Sequence, residues 1–149
     1  MEMMVVVAII GILALMAIPT MQDTFVRNQI AEALPLLDIA KPPVQAQWTL
    51  TKTLPADNAA AGLPSADKIV SNLISNVVIQ DGAIHATFGN RANALLKGRV
   101  ITLRPGVIED APIVPIAWVC AAAAAPEKMT VKGEDKTTVP AKYLTAKCR

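Results

Sequence analysis

Apolar and polar positions divide this chain of 149 residues into two unlike parts. From Met3 to Gln22 there are 20 consecutive residues without a formal charge, and residues 1–22 hold 17 apolar side chains, five of the six methionines among them. Polar positions do not recur through this run at either helix or strand spacing. It therefore predicts a helix that is apolar all round, the pattern of a segment whose surroundings are not water. At about 1.5 Å per residue the run is about 30 Å long, enough to cross the hydrocarbon core of a bilayer. Gly11 and Pro19 are its weak points, because each lowers helix stability.

Beyond Pro19 the pattern becomes two-sided, and residues 23–50 read as an amphipathic continuation of the helix. Met21, Phe25, Ile30, Leu34 and Leu37 fall roughly on one face, and Asp23, Arg27, Glu32 and Asp38 are spread over the others. That stripe is suited to packing on a sheet. Pro35 is expected to kink or open the helix, and Lys41-Pro42-Pro43 to end it near residue 40, with a resumption over 44–50. Trp48 reads as a core anchor.

Residues 51–149 read as a globular head. The stretch 51–67 has turn chemistry around an alanine run and is expected to be a loop. Residues 68–120 suggest four short strands at 69–80, 83–88, 99–104 and 116–120, although the first half of 69–80 also suits a helical turn. Asp81-Gly82 is a two-residue hairpin signal. Ile84, Ala86 and Phe88 alternate with His85 and Thr87, which places His85 on the sheet surface. Pro105-Gly106 is expected to close the third strand, and Pro115 to mark the start of the fourth. The fold class is therefore α+β: a long N-terminal helix packed on a four-stranded antiparallel meander.

Composition then narrows the chemistry. The 53% hydrophobic content averages the apolar rod with an ordinary soluble head. Two cysteines exclude a disulfide-dense miniprotein and a multi-cysteine metal cluster, and the single histidine has no second histidine to form a metal site with. The sequence contains neither a Gly-rich phosphate loop nor a nucleophile–base constellation, and Glu109-Asp110 reads as a solvated loop. The chain is expected to be no enzyme and to need no cofactor or metal. The net charge of +2 is too balanced to imply nucleic acid by itself. Basic residues nevertheless gather late in the chain, at Lys128, Lys132, Lys136, Lys142, Lys147 and Arg149. Repeated along a polymer, they could form a basic surface able to attract DNA.

Three readings compete for the first segment. A cleaved signal peptide lacks support, since there is neither a basic n-region nor an A-x-A-like site. A plain membrane anchor would leave Glu2 in the headgroups. The third reading is a helix that lives first in lipid and later inside an assembly, where a buried Glu2 would need a cation.

The run Glu2-Met3-Met4-Val5-Val6-Val7-Ala8-Ile9-Ile10-Gly11-Ile12-Leu13-Ala14 through Pro19 resembles the N-terminal signature of type IV pilins. In that family a basic leader ending in Gly and the residues Phe-Thr-Leu precede the glutamate. Here Met1 would be the variable residue before Glu2, and the rest would lie before Met1. The body is similar to type IVa pilins at Asp81-Gly82-Ala83-Ile84, Leu103-Arg104-Pro105, Ile116-Ala117-Trp118-Val119-Cys120 and Cys148-Arg149, so the resemblance covers nearly the whole chain.

The resemblance implies a pilus subunit, the major one, that polymerises with many copies of itself into a surface filament serving attachment, twitching motility and DNA uptake. Glu2 would neutralise the terminal amine of a neighbouring subunit, while Gly11 and Pro19 would bracket a segment able to lose helicity on assembly. It also implies residence in the inner membrane before assembly, processing by a prepilin peptidase, and extrusion by the pilus machinery. Cys120 and Cys148 would pair and bound the exposed region 120–148, the alternative being two unrelated thiols. Two other readings remain open: a type II secretion pseudopilin, which commonly has a C-terminal calcium site instead of this cysteine layout, and a DNA-binding minor pilin.

Overall fold

The computed structural model describes residues 2–149; Met1, the expected variable position, lies outside them, as do the side chains of Pro19 and Thr20. A long helix α1 (Glu2–Leu37) is followed by α2 (Lys41–Thr51) and then by a meander of β1 (Ile74–Gln80), β2 (Ala83–Phe88), β3 (Val100–Val107) and β4 (Ala117–Cys120). The strands are antiparallel in the order β1-β2-β3-β4, as the turn signals predict. A short fifth strand, β5 (Thr130–Val131), pairs with β3 and has no counterpart in the sequence reading.

The helix differs from expectation at its prolines. It runs unbroken through Pro35, and α1 and α2 are joined by three successive i to i+3 bonds, ending with Ala40 N–H donating to Leu37 O at 3.1 Å. The chain tightens to a 3-10-like turn instead of breaking. Pro42 and Pro43 then occupy the first turn of α2, where a backbone N–H has no intrahelical acceptor and its loss costs nothing.

The buried face also differs from expectation. Val26, Ile30, Ala33, Leu37, Ala40 and Val44 are all buried, and Trp48 continues the line. Their alternating spacing of four and three forms a single seam through both helices. Met21 and Phe25 lie off this seam and are exposed, whereas Ile30 and Leu37 lie on it. Trp48 is part of the core, as expected.

The seam packs on one face of the sheet. Val77, Ile79, Ile84, Ala86, Ile101 and Leu103 are in register across β1, β2 and β3 and are all buried in the same cluster. Gln29 anchors the helix further, its Oε1 accepting the N–H of Asn93 at 2.8 Å. Asp81 and Gly82 form the β1–β2 hairpin with φ of 50° and 80°, the backbone twist a two-residue hairpin requires.

β3 does not close at Pro105-Gly106 but continues to Val107. Pro105 is tolerated because β2 ends opposite Leu103, so no β2 carbonyl awaits its missing donor. On the far side of the sheet, residues 133–138 pass over His85. The Lys136 N–H donates to Thr102 Oγ1 at 3.2 Å, and His85 Nδ1 lies 2.8 Å from that same oxygen. His85 is therefore buried, not on the sheet surface as expected. Burial, aided by the positive charge of Lys136, holds the His85 pKa below its ordinary value.

Side chains complete two stretches of strand backbone. Asn58, in the helix–sheet loop, accepts the Ile79 N–H at 2.7 Å and donates to Val77 O at 3.0 Å. Beside β3, the Thr138 and Thr137 hydroxyls accept the N–H groups of Val100 and Thr102 at 2.8 and 3.1 Å.

Candidate functional site

The surface that the head leaves uncovered is the first half of α1. Residues 2–18 are exposed throughout, and they include Val5, Ile9, Ile12, Leu13 and Met16, each more than half exposed. The helix is long and apolar enough to cross a membrane. Its most apolar stretch of 18 residues has a mean hydropathy of 2.6, with none of it buried. At 36 residues α1 is about 54 Å long, of which the head covers only the second half. In water such a surface is strongly unfavourable, so its stable environment must be lipid or other protein.

The three rod residues singled out from sequence do not meet within the chain; they are spread along one helix. Glu2 lies in the first turn, where its carboxylate favours the positive end of the helix dipole. Gly11 has nothing within 4 Å of where a Cβ would stand. Among the described residues no contact requires a glycine there, so a packing reason for it lies in a neighbouring helix, for which small residues allow close approach. Pro19 lies within a helix that is continuous from Glu2 to Leu37.

Met21 and Phe25 belong to this external surface too. Together with Thr24 and Asn28 they line a shallow groove where the rod enters the head. They are exposed, contrary to the sheet-facing stripe expected from hydropathy. The strict four–three spacing from Val26 onward is the signal that separates the two faces.

At the other end, Cys120 and Cys148 are joined by a disulfide, with 28 residues of sequence separation. Much of the apolar content of the bounded segment is alanine, yet it buries Val139, Tyr143 and Leu144 against the core. It braces the helix as well, since Arg27 Nη2 donates to Lys142 O at 2.6 Å. The bridge thus closes a segment that holds helix and sheet together.

The late basic residues are distributed among separate contacts. Lys132 is paired with Glu109, Lys136 hydrogen-bonds Gln80, and Lys142 sits 4.5 Å from the centre of the Tyr143 ring. Arg149 Nε donates to Leu144 O at 3.1 Å, while Lys128 adopts a left-handed turn with φ of 66°. Lys147 borders a cavity beside the disulfide. Among the described residues no group of three His, Cys, Asp or Glu side chains is placed to hold a metal ion.

Comparison with known proteins points in one direction. Residues 26–149 match the family described as Pilin (bacterial filament). The fimbrial protein EcpC of Eikenella corrodens is 32% identical over 151 aligned residues, covering 99% of this chain and 86% of that protein. The type IV major pilin protein PilE of Neisseria gonorrhoeae is 33% identical over 103 residues, covering 68% of this chain and 62% of that protein. The fimbrial protein Q of Moraxella bovis is 38% identical over 115 residues, covering 68% of this chain and 73% of that protein.

Proposed function

The chain belongs to the bacterial pilin family, as a structural subunit of a type IV pilus, and from that premise we propose how its parts serve assembly. The unassembled subunit is stored with its rod in the inner membrane. After a prepilin peptidase removes the leader, the pilus machinery moves the rod out of lipid and into a bundle of like rods. The observation carrying this reading is that every residue from 2 to 18 is exposed on a molecule that otherwise has a closed core.

Because lipid is already apolar, the hydrophobic effect does not by itself favour the filament over the membrane. Packing and charge pairing must supply the preference. In this reading Glu2 supplies the charge. Its carboxylate neutralises the terminal amine of a neighbouring copy, and in a low-dielectric core a slip of one step would strand both charges. Gly11 lets another helix approach the rod, and together with Pro19 it marks the segment best able to loosen during transfer. As the major pilin, the subunit would make filaments serving surface attachment and twitching motility.

Electron microscopy of sheared surface material tests this directly. Filaments composed of this chain, lost in a Glu2→Ala variant whose subunit still accumulates folded in the membrane, are the expected result. Normal filaments in that variant would refute the Glu2 role. Absence of filaments from the parent chain would refute the major-subunit reading.

A further inference from the structure

We propose that the heads of neighbouring subunits lock knob into groove, the loop after β3 of one copy seating between α1 and the C-terminal turn of another. This rests on the filament reading above and specifies a head contact within it.

The knob is the loop 108–116 together with the end of α2. Among the described residues Ile113 and Leu50 have the highest exposure of any large apolar side chains, at 82% each, and both lie outside the apolar rod. They flank a contact in which Thr49 Oγ1 donates to Pro112 O at 3.3 Å. Ile116 N–H donates to Gln45 Oε1 as well, so the loop is held against α2. The loop is acidic. Glu109 is engaged by Lys132, which leaves Asp110 as its exposed carboxylate outside the described ion pairs.

The groove is a cavity of about 340 Å³ between α1, β4 and the C-terminal turn, with Leu34, Pro35, Leu103 and Trp118 among its walls. Asp38 and Lys41 at its border pair with each other at 2.6 Å. Lys147 is then the exposed cation of the groove outside the described ion pairs. An apolar projection with a carboxylate beside it thus has a complement in an apolar groove with an ammonium beside it.

Geometry selects a second copy as the occupant. Leu34 and Pro35 in the groove and Gln45 and Thr49 under the knob follow helical spacing, so both features share a side of the molecule. Leu34 and Leu50 are nevertheless roughly 24 Å apart at helical rise across α1, the turn and α2, so Leu50 does not reach the far wall of its own groove. A knob and a groove on different levels of one molecule make a heterologous contact. Repeated with an axial shift, it extends as an open helical polymer.

The test is made on filaments. A photo-crosslinking residue replaces Ile113, and sheared filaments are irradiated and mapped by mass spectrometry. The expected cross-links are between subunits and fall within residues 31–41 and 145–148. Filaments that cross-link only elsewhere overturn the proposal and leave the subunit reading intact, whereas absence of filaments from the parent chain breaks that reading instead.

Charge exchange gives an independent arm that does not depend on the crosslinker being tolerated. Asp110→Lys and Lys147→Glu should each reduce filament yield by about tenfold with the subunit still folded, and the double variant should recover most of it. Single variants without effect, or a double variant no better than the singles, overturn the proposed pairing.

Discussion

The two halves of α1 follow opposite rules of burial on one continuous backbone. From Val26 onward the helix shows the sheet a seam at alternating spacings of four and three, and the seam residues are almost entirely out of solvent. From Glu2 to Ile18 apolar residues surround the helix, and every one of them is exposed. The second half is thus completed by its own chain. The first half is as apolar but stays exposed on its own chain, so the burial of its surface is an intermolecular property. Stability and assembly should therefore respond separately to substitution in the two halves.

The largest effect should come from the rod. Removing one member of a buried ion pair typically costs about 3–5 kcal/mol, enough to abolish a polymer at ordinary subunit concentration. Glu2→Ala should therefore eliminate filaments while leaving the melting temperature of the detergent-solubilised subunit unchanged. A fall in that temperature would mean that rod and head are not energetically separate.

The reverse holds for the bridge. Replacing Cys120 and Cys148 together by Ser should lower the unfolding free energy by about 3–4 kcal/mol in denaturant titrations, the loop-closure value for a segment of this length. Helical content of the rod in detergent should be unchanged.

A sharper comparison uses neighbours on one helix. Ile30→Ala empties a fully buried site and should destabilise the head by about 3 kcal/mol. Phe25→Ala, on the exposed face, should change subunit stability by less than about 0.5 kcal/mol yet reduce filament yield. Equal stability losses for the two would erase the boundary drawn at Val26. Asn58→Ala should cost about 1–3 kcal/mol through the Ile79 N–H and Val77 carbonyl it leaves unpaired.

The smallest effect is graded by pH. His85 is held below its ordinary pKa in the folded head, chiefly by burial and then by Lys136, while Asp135 and Glu134 act in the opposite direction. The folded state therefore binds fewer protons than the unfolded one. The contribution is full above about pH 6.5 and declines as pH falls through that value toward the lower folded pKa. His85→Gln should flatten this part of the stability profile. An unchanged slope would show that the imidazole does not titrate on unfolding.

Much of this architecture was legible in the sequence because the signals were local. Asp81-Gly82 needs only its own backbone to mark the hairpin, and the uncharged run ending at Gln22 needs only its length. The features that escaped depend on a partner. Met21 and Phe25 are as apolar as Ile30, and hydropathy alone does not say whether a side chain faces its own sheet or another molecule. Pro42 and Pro43 look like breakers until their place in a first turn is known. His85 alternates as a surface residue should, but the segment covering it binds through threonine hydroxyls and backbone groups, which leave no hydrophobic period. For the site, the sequence revealed the rod and the resemblance implied the cysteine pair, whereas the groove beside Trp118 depends on residues far apart in the chain.

The Asn58 and threonine contacts have a consequence for crowding. A filament packs heads side by side at extreme local concentration, where bare strand edges invite sheets to fuse. Here Asn58 occupies part of the outer margin of β1, and Thr137 and Thr138 occupy the stretch of β3 left bare by β4. Along those stretches the backbone groups offer no template to a neighbour. The subunit can thus be a committed polymer through its rod while these parts of its sheet remain inert toward amyloid-like pairing.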